Sequence, residues 1–91
     1  MRFQWDERKR KINLRMHGLD FRDVPRVFEG PTFTIEDNRF VYTEQRFMTL
    51  GFLGGLPVSI AHTETLETIR VISFRKATRN EEAILFQSLK D

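Results

Sequence analysis

The chain contains no cysteine, which excludes a disulfide framework and a thiolate-bound metal. Its two histidines, His17 and His62, lie far apart and outside any HExxH-like spacing, so the sequence carries no metal motif and no cofactor is expected. No apolar run approaches the length of a membrane span, and nothing resembles a signal peptide. A cytoplasmic location without membrane contact is the expectation. Internal repeats, low-complexity tracts and interdomain linkers are also missing, and 91 residues suffice for one core. A single domain over residues 1–91 is expected.

What is present is an aromatic core and an uneven charge. Nine phenylalanines supply much of the apolar volume. The formal net charge is only +2, yet residues 1–26 hold eight Lys/Arg against four acids, residues 27–68 two against six, and residues 69–91 five against three. Folding can join the two basic ends into one face that meets a polyanion. A solvated charged surface accounts for the same numbers, and so small a net charge does not demand a polyanion.

The order of elements follows from periodicity. Arg2-Phe3-Gln4-Trp5 alternates like a short edge strand, with Trp5 suited to aromatic packing. Asp6 is a good N-cap for a helix over Glu7 to Met16, with a Glu7–Lys11 pair and a thin apolar stripe of Ile12, Met16 and Leu14 expected to pack inward. Arg8, Lys9, Arg10, Lys11 and Arg15 would then face solvent, RNA or an acidic partner. Gly18 suits a left-handed cap, and His17 beside it suits capping. Phe21, Val24, Val27 and Phe28 predict a second helix, which Pro25 favours starting late. Strands follow around Phe33 and Ile35, over Glu44 to Phe52, over Leu56 to Thr63 and over Ile69 to Phe74. Phe40 to Tyr42 suits a further extended piece, Gly54-Gly55 a tight turn, and Tyr42 base stacking. Thr78-Arg79-Asn80-Glu81 is a capping box for a last helix with Ile84, Leu85 and Leu89 inward. The expected class is α+β: two N-terminal helices, an antiparallel sheet of three to four main strands with room for an extra short N-terminal one, and a C-terminal helix. The helices would cover one face of the sheet and leave the other at least partly open.

Chemistry concentrates at the end of the last strand. Arg70, Arg75, Lys76 and Arg79 converge where a sheet hands over to a helix N-terminus, which itself repels cations by roughly 0.3–1 kcal/mol each. An anion such as a phosphate makes sense of that arrangement. Strict alternation puts Arg70 with Ile72, Phe74 and Lys76, and Arg75 opposite, unless the strand ends near Phe74. Arg70 and Arg75 are the first candidates for phosphate contact, because a guanidinium clamps a phosphate at two points. Pairing with Glu44, Glu64 or Glu67 is the structural alternative. Arg46 is expected between Glu44 and Met48 on one strand face, so Glu44 is either its salt-bridge partner or a general base oriented by it. His62 is expected near the open sheet face as a proton donor or acceptor, or else as a partly buried polar side chain.

Several stretches together resemble the BrnT-type toxins. Phe3-Gln4-Trp5-Asp6-Glu7 with Lys9, Asn13, His17-Gly18 and Phe21 is similar to that family's N-terminal signature. Glu44-Gln45-Arg46-Phe47 with Leu50-Gly51 is similar to its central strand, and Ile69 through Thr78 followed by Glu81 to its C-terminal signature. The resemblance implies a RelE-like fold and a type II toxin–antitoxin ribonuclease that arrests translation by metal-independent RNA cleavage. It also implies neutralisation in a 2:2 complex by a BrnA-type antitoxin, through which alone the pair contacts DNA. In that reading Arg46, Arg70, Arg75, His62 and Glu44 are catalytic candidates, and Lys76, Arg79, Lys9 and Arg15 bind RNA. Two positions depart from the family pattern. Phe74 replaces a small residue, and Leu85-Phe86 stand near a usual tyrosine. They motivate a rival reading, a catalytically weak or inactive binding module that acts as co-repressor with its antitoxin.

Overall fold

The computed structural model describes residues 1–41 and 43–90. In chain order it contains β1 (Arg2–Gln4), α1 (Glu7–His17), a 3-10 turn (Phe21–Asp23) leading into α2 (Val24–Phe28), β2 (Phe33–Glu36), β3 (Phe47–Leu53), β4 (Leu56–Glu64), β5 (Thr68–Lys76) and α3 (Arg79–Ser88). The strands form one sheet in the order β1-β5-β4-β3-β2. β2 through β5 pair antiparallel, but β1 runs parallel to β5, so the α+β fold has a mixed five-stranded sheet. Among the described residues no helix is long and apolar enough to cross a membrane.

Local chemistry explains the boundaries. The Asp6 carboxylate accepts the Lys9 N–H at the start of α1, and Gly18, at φ 71°, closes that helix through its N–H to Leu14. Pro25 sits in the first turn of α2, where its missing N–H is harmless. Gly54 and Gly55 both take positive φ between β3 and β4, as a two-residue hairpin turn requires. Thr78 and Glu81 complete the capping box of α3. β3 begins only at Phe47, and Glu44 lies in an exposed bend, so the expected strand from Glu44 is shorter than predicted. Phe40 and Val41 are not in a strand, and Tyr42, singled out for base stacking, lies outside the described residues.

Helices cover both faces, contrary to the one-face expectation. Phe21, Val24 and Val27 pack on a first face made by Val58, Ile60, Ile69, Val71 and Phe74. Leu85 of α3, with Ile84, packs on the second face against Met48 and Leu50. α3 packs chiefly on β3 on that second face and reaches β5 through Glu81 and Arg75, whereas Arg70 further along β5 remains exposed. The close approach of α2 depends on Gly51, where a Cβ would meet Val27 Cγ1 at 2.7 Å.

α1 overturns its own amphipathic reading. Its buried residues are Arg10 and Asn13, whereas Ile12 and Met16 are 45% and 71% exposed. The helix lies along the edge of β5 beyond the short β1, where backbone groups need partners. Asn13 supplies them: it donates to the Phe74 carbonyl at 2.8 Å and accepts the Phe74 N–H at 3.0 Å. Its amide also donates to the Leu19 carbonyl. Arg10 bridges Glu7 and Asp20, so Glu7 bonds Arg10 rather than the expected Lys11.

Candidate functional site

The cations of β5 are arranged by a bulge. Ala61 pairs with Ser73 and His62 with Val71, so Ile72 is an extra residue and the alternation shifts there. Residues Ile69 and Val71 before the bulge share the first face with Phe74 after it. Arg70 and Arg75 therefore stand together on the second face, opposite Thr63 and Ser59. The strict alternation that separated them is thus corrected. Lys76, level with Val58, falls at the parity of the first face and is exposed.

Arg46 joins the same surface. The β2–β3 ladder extends one residue past Phe47 through the Asp37 N–H to the Arg46 carbonyl, at 2.8 Å. Phe47 pairs with His62, which sets Arg46 level with Thr63 and at the parity of Met48, on the second face. Arg46 and Arg70 thus flank Thr63 from the two neighbouring strands, about 10 Å apart at two strand spacings. Arg75 lies four residues further along, roughly 13 Å away at the usual rise. Arg70 has no ion pair among the described residues.

Arg75 is bound in a fork. Its guanidinium donates to both oxygens of Glu81 at 2.8 and 3.0 Å, so its carboxylate partner is neither Glu44, Glu64 nor Glu67. That bond holds the Arg75 proton more firmly than usual, against burial and the neighbouring Arg39 charge. Glu81 is correspondingly held below the ordinary glutamate range, first by Arg75 and, against burial, by the Thr78 N–H. A cleft of about 360 Å³ opens here, lined by Arg39, Arg75, Asn80 and Glu81 over a floor that includes Met48 and Leu50. Arg39 escaped the sequence reading. Asp37, buried, accepts the Arg39 backbone N–H at 3.2 Å and its guanidinium at 2.9 and 3.0 Å, a turn that Asp37-Asn38-Arg39 spells locally.

A neighbouring depression of about 380 Å³ is lined by Asp37, Glu44 and Arg46 among others. Glu44 and Arg46 therefore share a concavity, although they do not share a strand face. Arg79, the first residue of α3, is exposed, and Lys9 and Arg15 are exposed on α1.

His62 is elsewhere. It is fully buried on the first face, against the expectation that it would line the open one. Its ring stacks on Phe47 and meets Phe28 edge-on, and Nε2 lies 2.7 Å from the Thr49 hydroxyl. Burial pushes its pKa down, with Glu64 at 3.7 Å opposing. Trp5 packs edge-on to Phe21 in the core, as expected. Phe74 is fully buried, and Leu85 fills the second core while Phe86 lies at the surface against Phe52. Among the described residues no three His, Asp or Glu side chains are grouped to hold a metal ion.

Comparison with known proteins adds one match. The model of a family described as "Ribonuclease toxin, BrnT, of type II toxin-antitoxin system" matches residues 5–81. No curated protein matches the chain.

Proposed function

The chain belongs to the BrnT family, the ribonuclease toxins of type II toxin–antitoxin systems, and from that premise we propose that it is an endoribonuclease that cleaves RNA without a metal and so inhibits translation in the cytoplasm. The observation that carries this reading is the gathering of Arg46, Arg70 and Arg75 on one sheet face, with Arg39 beside Arg75. Cleavage through the 2′-hydroxyl needs a proton acceptor, cations around the phosphorane, and a proton for the departing 5′-oxygen. Arg46 and Arg70 hold the scissile phosphate from either side of Thr63, and Arg75 with Arg39 holds a neighbouring one. Arg79 extends the anion site from α3. Glu44, in the concavity it shares with Arg46, takes the 2′-hydroxyl proton. His62 is set aside as a proton carrier because it is buried on the other face, and Lys76 because of its parity. No phenol stands at Leu85 or Phe86, so water protonates the leaving group and turnover is slow. The fold is read as RelE-like, and a BrnA-type antitoxin neutralises the chain in a 2:2 complex that contacts DNA through the antitoxin.

The test is incubation of the purified chain with RNA in EDTA. Fragments ending in 2′,3′-cyclic phosphate are expected. Arg46→Ala and Arg70→Ala should each slow cleavage by roughly 10²–10³, as loss of a charge-stabilising donor does elsewhere, with unchanged circular dichroism. Intact RNA with a folded sample removes the enzyme reading. One observation favours a second reading: with a buried Leu85 and an exposed Phe86 in place of a hydroxyl, the chain is suited to a binding module acting with its antitoxin. Normal growth on inducing the chain alone would support that reading, whereas arrest relieved by the antitoxin supports the toxin.

A further inference from the structure

The outward face of α1 has no use inside the fold. Ile12 and Met16, one turn apart, line a groove of about 210 Å³ between α1 and β5, together with Lys9 and the bulge residue Ile72. Three aliphatic side chains meeting at a surface differ from the scattered exposed apolar residues that need no explanation. Arg8 and Arg15 lie next to Ile12 around the helix, with Lys11 beyond them. Among the described residues none of Arg8, Lys9, Lys11 and Arg15 forms an ion pair, while Arg10 on the inner side forms two.

We propose that this groove is where the antitoxin docks, through an acidic amphipathic segment that sets an aliphatic side chain between Ile12, Met16 and Ile72 and its carboxylates on the surrounding cations. The unpaired cations call for an anionic partner. The apolar floor points to protein over RNA, since unpaired bases stack on aromatic rings and the groove is lined chiefly by Ile12, Met16 and Ile72, with the His17 imidazole the one ring among its described lining residues. The bulge then serves two surfaces: it aligns Arg70 with Arg75 on one side and turns Ile72 into the groove on the other. Lys9 and Arg15, considered above as RNA contacts, belong to this partner surface. The inference rests on the chain having an antitoxin, as its family membership implies, and not on its cleaving RNA.

The test titrates the purified cognate antitoxin into the full chain by calorimetry, with RNA cleavage assayed separately on the same samples. Ile12→Glu and Met16→Glu change exposed side chains, so folding survives. Each should weaken antitoxin binding by roughly tenfold or more, the loss seen at anchor positions of interfaces. Leu66→Glu, an equivalent change at a fully exposed turn residue, should bind as the wild type does. Lys9→Glu should also weaken binding, and affinity should fall as salt rises. Wild-type affinity in both groove variants overturns the proposal, and so does an affinity indifferent to salt. Groove variants that lose RNA binding but keep the antitoxin overturn it in favour of a nucleic-acid face. Absence of cleavage by the wild-type chain, with antitoxin binding intact, would count against the ribonuclease reading alone.

Discussion

The buried imidazole of His62 gives the chain a pH dependence whose sign follows from its surroundings. Desolvation disfavours the charged ring, and Glu64 at 3.7 Å only partly offsets that. The unfolded chain takes up this proton near the ordinary value of 6.5, whereas the folded chain resists until lower pH. Below about 6.5 the unfolded state therefore binds more protons, and stability is lost as pH falls. The urea midpoint should drop between pH 8 and pH 5, and His62→Gln should remove most of that slope. An unchanged slope in the variant would place the dependence on other groups. Asp20 acts in a lower window. Its pKa is held at about 2, first by Arg22, so its stabilising effect fades only as pH falls below 3.8 towards that value. Neither environment was legible in the sequence. His62 reads as one more polar residue in an alternating strand, and its burial depends on Phe28 arriving from α2.

Capping signals act within a few residues and were readable, as Asp6, Gly18 and the Thr78–Glu81 box demonstrate. The inward side of α1 was not, because amphipathic reading assumes that a helix buries apolar residues against a sheet face. This helix docks on a strand edge, where the unmet need is hydrogen bonding, so Asn13 goes in and Ile12 stays out. The shift at Ile72 was hidden for a related reason: it exists only in the pairing of β5 with β4. Asn13→Leu tests the edge argument. It leaves the buried Phe74 N–H and C=O without partners, at about 1–3 kcal/mol for each unsatisfied group. A loss of about 2–6 kcal/mol in urea unfolding is expected, twice what one orphaned group costs. A change under 1 kcal/mol would mean that α1 is held by other contacts, with Arg10 and its two carboxylates the first to examine.

Two cores share one sheet, and the strands that join them decide whether the molecule unfolds in one step. Val58 and Ile60 in β4 face α2, while Met48 and Leu50 in the adjoining β3 face α3. Loss of either layer exposes the back of strands that the other layer needs. Chains of this size with a continuous sheet usually unfold in a single cooperative transition. The single tryptophan, Trp5, sits beside Phe21 in the first core and reports on that side, whereas circular dichroism also registers α3. Leu85→Ala empties a fully buried position in the second core, and such truncations cost about 2–5 kcal/mol. The Trp5 fluorescence transition should therefore move to lower urea together with the dichroism transition, although the substitution lies on the opposite side of the sheet. If only the dichroism shifted, α3 would be a separable layer. The Arg75–Glu81 fork would then have to be formed anew whenever that layer docks, and the cleft holding Arg39 would open with it.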